Sequence, residues 1–485
     1  MGNYAVPESI RQLKPRGTMV KRIADHYYVY EYRSVKDESG KRKTQMGKVI
    51  GVIKEGIGFV PNATFATSEE ITTVEFGEYA VSLANSTQTL SKLKEVFNPL
   101  DAISIYIVAL IHVVQGFVYM KDVERYYEMS VLSLRYPELK LGYKALSKLY
   151  DKLGRRQNSV LEFQQRLLDQ SSRQIAIDGH VIADCSADND LAAKGYKFQK
   201  LGERQINLLM AYDVNTFTPV LSRIYDGANV DKVSVRDLID QVQIENVLFI
   251  VDRGFYSEEN IDLFTQNGNA YIIPLAKNLT GCKKAVSRLE MTSRFVFQKG
   301  RKSTVVEYKD EIIDGRRIVT YRDLNESATE QANYLRHIAL GEKSYTQESF
   351  EKNKDLMGVT VLQTSLTEEK FDAATVYGLY KKRWAIENFF NYFKNKADYN
   401  TLYQQDYYKV QGLSFIMLVS ALIYRELENA VVAIKGKSLQ DCLLDVRMVK
   451  ANKRHGKWTV CNCREKQVKL FKELRTDLVV DDAHT

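Results

Sequence analysis

Hydrophobic and polar positions divide the chain into three textures. Tyr27–Val35 (YYVYEYRSV) alternates, Asp37-Glu38-Ser39-Gly40 turns the chain and Thr44–Ile53 returns, which predicts a β-hairpin. From Thr67 to about Gln165 the spacing is helical. Leu83, Leu90, Leu93 and Val96–Phe97 recur, Asn98-Pro99 interrupts them, and Ala102–Met120 and Tyr143–Leu153 follow as further helices. Beyond Arg173, Gln174–Ile182, Ile206–Val214 and Pro219–Tyr225 read as strands and Val233–Val242 as a helix. A buried strand is expected at Val247–Val251, a helix opening at Ser257-Glu258-Glu259, and another strand at Ala270–Leu275. Three strands, then helix, strand, helix, strand predict a mixed α/β sheet and not a doubly wound nucleotide fold.

The rhythm changes at Lys277. Short β-like pieces (Phe295–Phe297, Thr304–Tyr308, Arg317–Tyr321) among many charges predict an inserted, largely β subdomain up to about Asp355. Leu356–Gln363 resumes as a strand, Gly412–Asn429 reads as a buried helix, and Lys437–Thr485 as a basic tail with one or two short helices. The expected organisation is therefore 1–66 a basic β-hairpin region, 67–165 an all-α domain, 166–276 and 356–436 two parts of one core, 277–355 the insertion, and 437–485 a basic tail.

One stretch organises the rest. Tyr380–Lys394 (YKKRWAIENFFNYFK) follows Thr367-Glu368-Glu369, a cap-like start, and reads as a helix. Tyr380, Arg383, Glu387 and Lys394 fall at about 0°, 300°, 340° and 320° on its wheel. Leu379, Ile386, Phe390 and Phe393 lie beside them, at about 220–280°. A polar row abutting the apolar stripe points into a crevice, and an i, i+4 salt-bridged surface helix is an equal alternative from this window alone. Trp384 lies on the rim of the row, a position that leaves a core role open for it.

Composition narrows the class. With 69 Lys and Arg against 61 Asp and Glu the net charge is +8, which is compatible with a polyanionic partner. Arg16, Lys21, Arg22, Lys41, Arg42, Lys43, Lys48 and Lys54 gather around the first hairpin, either as a solvated face or as a DNA contact. No Gly-rich phosphate loop follows a strand, which argues against a nucleotide cofactor. Met1–Lys14 lacks an apolar core, so no signal peptide is expected; Ala102–Met120 carries His112 and Gln115 and reads as a buried helix of a soluble protein. The five cysteines, with Cys461 and Cys463 the one close pair, fit a reducing compartment better than a zinc site.

Three acids stand out by position. Asp178 interrupts an early strand, Asp252 ends a buried strand before Arg253-Gly254-Phe255, and Glu387 lies on the inward row of the late helix. Acids in apolar strands are costly unless paired or holding a metal. Converging, the three would form an oxygen-rich site of the kind that suits Mg²⁺. Asp184, Asp188, Asp190 and Asp226 read instead as turn acids.

These residues carry a family resemblance. Tyr380-x2-Arg383-x3-Glu387-x6-Lys394 resembles, spacing for spacing, the YREK signature of bacterial insertion-sequence transposases. Asp178-Gly179 and Asp252-Arg253-Gly254-Phe255 resemble the family's first and second aspartate motifs, and 277–355 falls where its β-rich insertion does. The departure is His180, where the family often has Thr or Ser. The resemblance implies an RNase H-like core with Asp178, Asp252 and Glu387 as catalytic residues holding two Mg²⁺ ions, Mn²⁺ substituting. It implies cleavage of transposon inverted-repeat ends and joining of the 3′-OH to target DNA, with Tyr380, Arg383 and Lys394 on the phosphates and Trp384 against a base. A homodimer on paired ends, acting in the bacterial cytoplasm at the nucleoid with no membrane partner, is also implied. A metal-dependent endonuclease without strand transfer and a non-catalytic DNA-binding relative are the alternatives.

Overall fold

A computed structural model describes residues 6–36, 41–62, 73–186, 188–194, 203–228, 231–287, 289–300, 302–384, 401–402, 404–454 and 457–480. It divides into two compact units, Met1–Val74 with Lys450–Cys461, and Glu75–Val449 with Asn462–Thr485.

In the first unit the expected hairpin is present as β2 (His26–Lys36) and β3 (Arg42–Lys54), flanked by β1 (Thr18–Ile23) and β4 (Gly58–Pro61) in an antiparallel sheet of order β1-β2-β3-β4. Ile10, Val29, Ile50 and Ile53 form its small core. The flanking strands were invisible in the sequence because each is short and follows a left-handed glycine, Gly17 or Gly56, with little alternation of its own. β5 (Thr73–Glu75) belongs to a separate three-stranded sheet with two late strands described below.

The second unit opens with the expected helices, including Gly77–Ala84, Thr87–Val96, Pro99–Gln115, Tyr143–Arg155 and Gln157–Asp169. Asn98-Pro99 does more than break a helix. The Asn98 side chain accepts from the Asp101 N–H at 3.0 Å and Pro99 takes the first helical position, so the pair starts the next helix. Ile105–Ile111 of that helix are almost fully buried.

The mixed sheet follows. Its strands are β6 (Gln174–Asp184), β7 (Ala193–Lys194), β8 (Arg204–Asp213), β9 (Thr218–Asp226), β10 (Leu248–Val251), β11 (Ala270–Pro274), β12 (Ser293–Lys299), β13 (Lys302–Ile313), β14 (Arg316–Asp323), β15 (Val359–Thr364) and β16 (Thr401–Leu402). β6, β8 and β9 are antiparallel neighbours, and β10 and β11 run parallel to β6 on its other side. The insertion is not a separate β body. β12–β14 continue the same sheet through β15, which lies between β14 and β11. Nor is it largely β, since it contains helices Thr280–Ser287, Leu324–Ala339 and Gln347–Asn353. The longest of these buries only Ser327 among its own residues.

The tail also departs from expectation. Its helices Leu439–Val446 and Glu465–Glu473 are joined by a hairpin, β17 (Lys450–Arg454) and β18 (Lys457–Cys461), whose first strand pairs with β5. The sequence KANKR hides a strand behind its charges.

Tyr407–Val431 is the one helix among the described residues long and apolar enough to cross a membrane, and 78% of its most apolar window is buried inside the protein. It packs on Tyr143–Arg155 through facing glycines. A Cβ at Gly412 would sit 2.1 Å from the Tyr150 carbonyl oxygen, and one at Gly154 1.9 Å from that of Tyr408. Gly154→Ala or Gly412→Ala should force these helices apart and cost about 1–3 kcal/mol or more. Chemical denaturation of each variant measures this, and an unchanged midpoint would show that the helices separate without cost.

Candidate active site

The site is built on β6. Its register with β8 runs without a shift from Ile175↔Asp213 to Ala183↔Gln205, so side chains two apart share a face and His180 lies on the Asp178 side. On the other edge β10 pairs with β6 from Leu248↔Gln174 to Val251↔Ile177 and then ends. Asp178 and Asp252 are each the next residue after the Ile177↔Val251 pair. Parallel neighbours lie about 4.8 Å apart, so the two carboxylates occupy adjacent positions at the mouth of the sheet. Further along the same edge, β16 pairs with Ala183 and Asp184, leaving no described strand beside Asp178–Ile182. Among the described residues the result is a notch in the sheet bordered by both aspartates.

Each carboxylate is oriented by its own backbone. Asp178 Oδ1 accepts from the Gly179 N–H at 2.8 Å, and Asp252 Oδ1 accepts from the Arg253 N–H at 2.8 Å. Asp252 thereby caps a short 3₁₀ turn, Arg253–Phe255, whose Phe255 is buried. Gly254 within the turn lacks a positive φ, and a Cβ on it would meet nothing within 4 Å.

Of the helix expected over Tyr380–Lys394, only Tyr380–Lys382 lie in the described helix, Ala373–Lys382, which ends at its C-cap Arg383; 385–394 lie outside the described residues. The described helix starts later than anticipated. Asp372, not Thr367, is the N-cap and accepts from the Thr375 N–H at 2.8 Å. Its inner face rests on the inserted strands. Tyr377 packs against Phe295, Phe297 and Tyr321 with ring centroids 5.7, 5.1 and 4.9 Å apart, and its hydroxyl donates to Asp323 Oδ2 at 3.0 Å. The Tyr321 hydroxyl donates to the Ala373 carbonyl at 2.8 Å. Ahead of the helix, buried Arg317 forms an ion pair with Asp310 at 2.6 Å and donates to the carbonyls of Leu366 and Phe371.

Tyr380 then projects between two cavities. One, of about 430 Å³, is shared with Asp252, Arg253 and Lys277. The other, of about 440 Å³, is shared with Arg383, Trp384, Lys302 and Asn325. The Arg383 guanidinium lies 5.7 Å from the Tyr380 ring centroid. Trp384 is 56% exposed, which removes the core role left open for it by its sequence position. Tyr380, Arg383 and Trp384 are thus gathered around one wall, and Tyr380 links that wall to Asp252. Glu387 and Lys394 lie outside the described residues.

Among the described residues no three His, Cys, Asp or Glu side chains cluster to hold a metal ion. Two adjacent carboxylates are a fitting but incomplete oxygen donor set for a hard divalent cation, short of the third acid expected from Glu387. Arg253, Lys277, Lys302 and Asn325 were not singled out in the sequence. Lys277 had a detectable signal: it follows the end of β11, at the same strand-end edge as Asp178 and Asp252. Lys302 and Asn325 carried none, since only the pairing of the insertion with β15 brings them there.

Asp323 shows how the wall is held. Burial would raise its carboxyl, but donors prevail and keep it below the ordinary carboxylate range: the Thr304 hydroxyl at 2.7 Å, the Glu326 N–H at 3.1 Å, the Tyr377 hydroxyl, and the Asn325 N–H at 3.0 Å. Because its folded-state value is depressed, the stabilisation is complete above the ordinary carboxylate range and is lost as pH falls through the folded value. Asp323→Ala should cost roughly 2–4 kcal/mol near neutral pH and flatten the acid limb of the stability profile. Denaturation midpoints from pH 3 to 7 check both; an acid limb parallel to wild type would contradict the assignment. Gly254→Val tests the open turn differently: it should leave the denaturation midpoint within about 0.5 kcal/mol of wild type, and a larger loss would mean that the space in front of this turn is filled.

A profile of the family described as "Transposase DDE domain" matches residues 169–424. The chain is 25% identical over 212 residues to the transposase for insertion sequence element IS231F of Bacillus thuringiensis subsp. israelensis, covering 40% of this chain and 44% of that protein. It is 23% identical over 214 residues to the IS231C transposase of Bacillus thuringiensis subsp. berliner, covering 39% and 43%. The chain thus aligns with less than half the length of these relatives. A solved piggyBac transposase synaptic complex with hairpin DNA covers 76% of this chain and 77% of its own at 11% identity, but its TM-score of 0.37 is too low to bear on the fold.

Proposed function

The chain belongs to the family of transposases with a DDE domain, and from that premise we propose that it cuts the ends of its own element and joins the freed 3′-OH to target DNA. The observation that carries this reading is the parallel register of β6 and β10, with Asp178 and Asp252 in adjacent positions and Tyr380 sharing the Asp252 cavity. The strand order β9-β8-β6-β10-β11, three antiparallel strands followed by two parallel to the first, supports an RNase H-like core.

Asp178, Asp252 and Glu387 are the residues that would hold divalent metal, two Mg²⁺ ions with Mn²⁺ as a substitute. Bound there, the metal supplies charge neutralisation at the transferred phosphate and lowers the pKa of an attacking water. The backbone N–H donors of Gly179 and Arg253 hold both aspartates in place before substrate arrives. Tyr380, Arg383 and Lys394 grip the phosphates of the cleaved strand, with Arg383 suited to a two-point contact. Trp384, exposed at the rim, offers a stacking surface for a base. Two copies acting on paired ends, in the cytoplasm at the bacterial nucleoid, complete the reading.

Purified protein incubated with Mg²⁺, a duplex taken from the DNA flanking its gene and a supercoiled target plasmid should give both cleaved and joined products. Asp178→Asn, Asp252→Asn and Glu387→Gln should each reduce cleavage by about 10³-fold or more without loss of folding. Cleavage with no joined product would favour the endonuclease reading, and full cleavage by Glu387→Gln would remove that residue from the site.

A further inference from the structure

The first unit carries a feature that the catalytic reading does not use. β1 pairs with β2 only as far as Glu31, and β4 pairs with β3 only from Gly51 onward. Beyond those points Tyr32–Lys36 and Arg42–Lys48 have no other described strand beside them, so β2 and β3 continue as a two-stranded ribbon. The register slips between Val29 and Tyr30 and again between Tyr30 and Tyr32, at the root of this ribbon. Such bulges bend a strand pair and increase its twist. Gly47 sits at the bend, where a Cβ would lie 3.1 Å from that of Glu31.

Both faces of the ribbon are exposed. Tyr32, paired with Met46, and Val35, paired with Lys43, are apolar side chains in solvent, at 41%, 44% and 44% exposure for Tyr32, Met46 and Val35. Arg33, Lys41, Arg42 and Lys48 are exposed around them. A long unpaired ribbon is an aggregation hazard, and lysines or arginines along it can simply protect its edges. Dimensions and charge favour a ligand. From Tyr32 to Lys36 the ribbon is about 14 Å long at about 3.4 Å per residue, enough to reach the floor of a B-DNA major groove about 8.5 Å deep. Two strands about 4.8 Å apart with their side chains fit a groove about 12 Å wide and are too broad for an undistorted minor groove of about 6 Å.

We infer that the β2–β3 ribbon is a DNA-reading arm that lies in the major groove of duplex DNA at the element's end, with Arg33, Arg42 and Lys48 as its basic contacts. This rests on the transposase reading and names the surface that selects the end. The arm belongs to a unit that contains none of the catalytic candidates, so end recognition and chemistry are separable by mutation.

The test uses the full chain carrying Arg33→Gln, Arg42→Gln and Lys48→Gln together, with the duplex flanking its gene and a scrambled duplex of equal length as probes. Expected is a tenfold or greater loss of affinity for the flanking duplex, with the slope of log K against log salt falling by about 2–3 for three lost phosphate-region contacts. Guanine N7 methylation, which marks the major groove, should interfere with wild-type binding at positions where it no longer affects the triple variant. Thermal unfolding separates lost contacts from lost folding. A folded triple variant with wild-type slope and wild-type interference would overturn the inference and leave the basic residues as edge protection. Interference only by adenine N3 methylation would overturn the major-groove assignment. Wild-type protein binding both duplexes equally weakly would instead overturn the transposase reading on which the arm depends.

Discussion

The catalytic unit depends on one strand having three neighbours at different heights. Among the described residues, β6 is hydrogen-bonded to β8 along nearly its whole length, to β10 only up to Ile177, and to β16 only from Ala183. That interruption is where Asp178 and Asp252 stand. Ile175, Ala176 and Ile177 of β6 and Phe249, Ile250 and Val251 of β10 are all buried, so both strands are packed on both faces up to the interruption.

The inserted segment gives that notch its second wall. By joining the core sheet through β15, it brings Phe295, Phe297 and Tyr321 under Tyr377 and sets Asp323 to receive the Tyr377 hydroxyl. The buried Arg317–Asp310 pair holds the loop ahead of the helix by its remaining donors. Desolvating such a pair costs several kcal/mol per ion, so its net effect on stability is small. Its contribution is positional: the guanidinium is satisfied in full only when Leu366 and Phe371 present their carbonyls, which constrains where the helix begins. A helix start anchored in this way sets the direction in which Tyr380 and Arg383 project.

Much of this was legible before any coordinates. The strands around Asp178 and Asp252, the helix opened by Ser257 and the buried Tyr407–Val431 helix all follow from apolar runs and caps, and each lies within a few residues of its expected bounds. The helix start at Asp372 was misjudged because Thr367-Glu368-Glu369 is an equally good local cap; Arg317, distant in sequence, holds that stretch out of the helix.

Local chemistry by itself determined the strands that carry Asp178 and Asp252 and the interruption of a strand at each acid, because these are matters of side-chain period and near-neighbour capping. Only the tertiary structure decided that β10 stops beside Ile177, that the insertion extends the core sheet, and that Trp384 is exposed while Lys277, Lys302 and Asn325 line the cavities around Tyr380. Those outcomes depend on which edges pair across gaps of tens to hundreds of residues. Pairing energy is similar for many candidate edges, and the packing of whole layers selects among them.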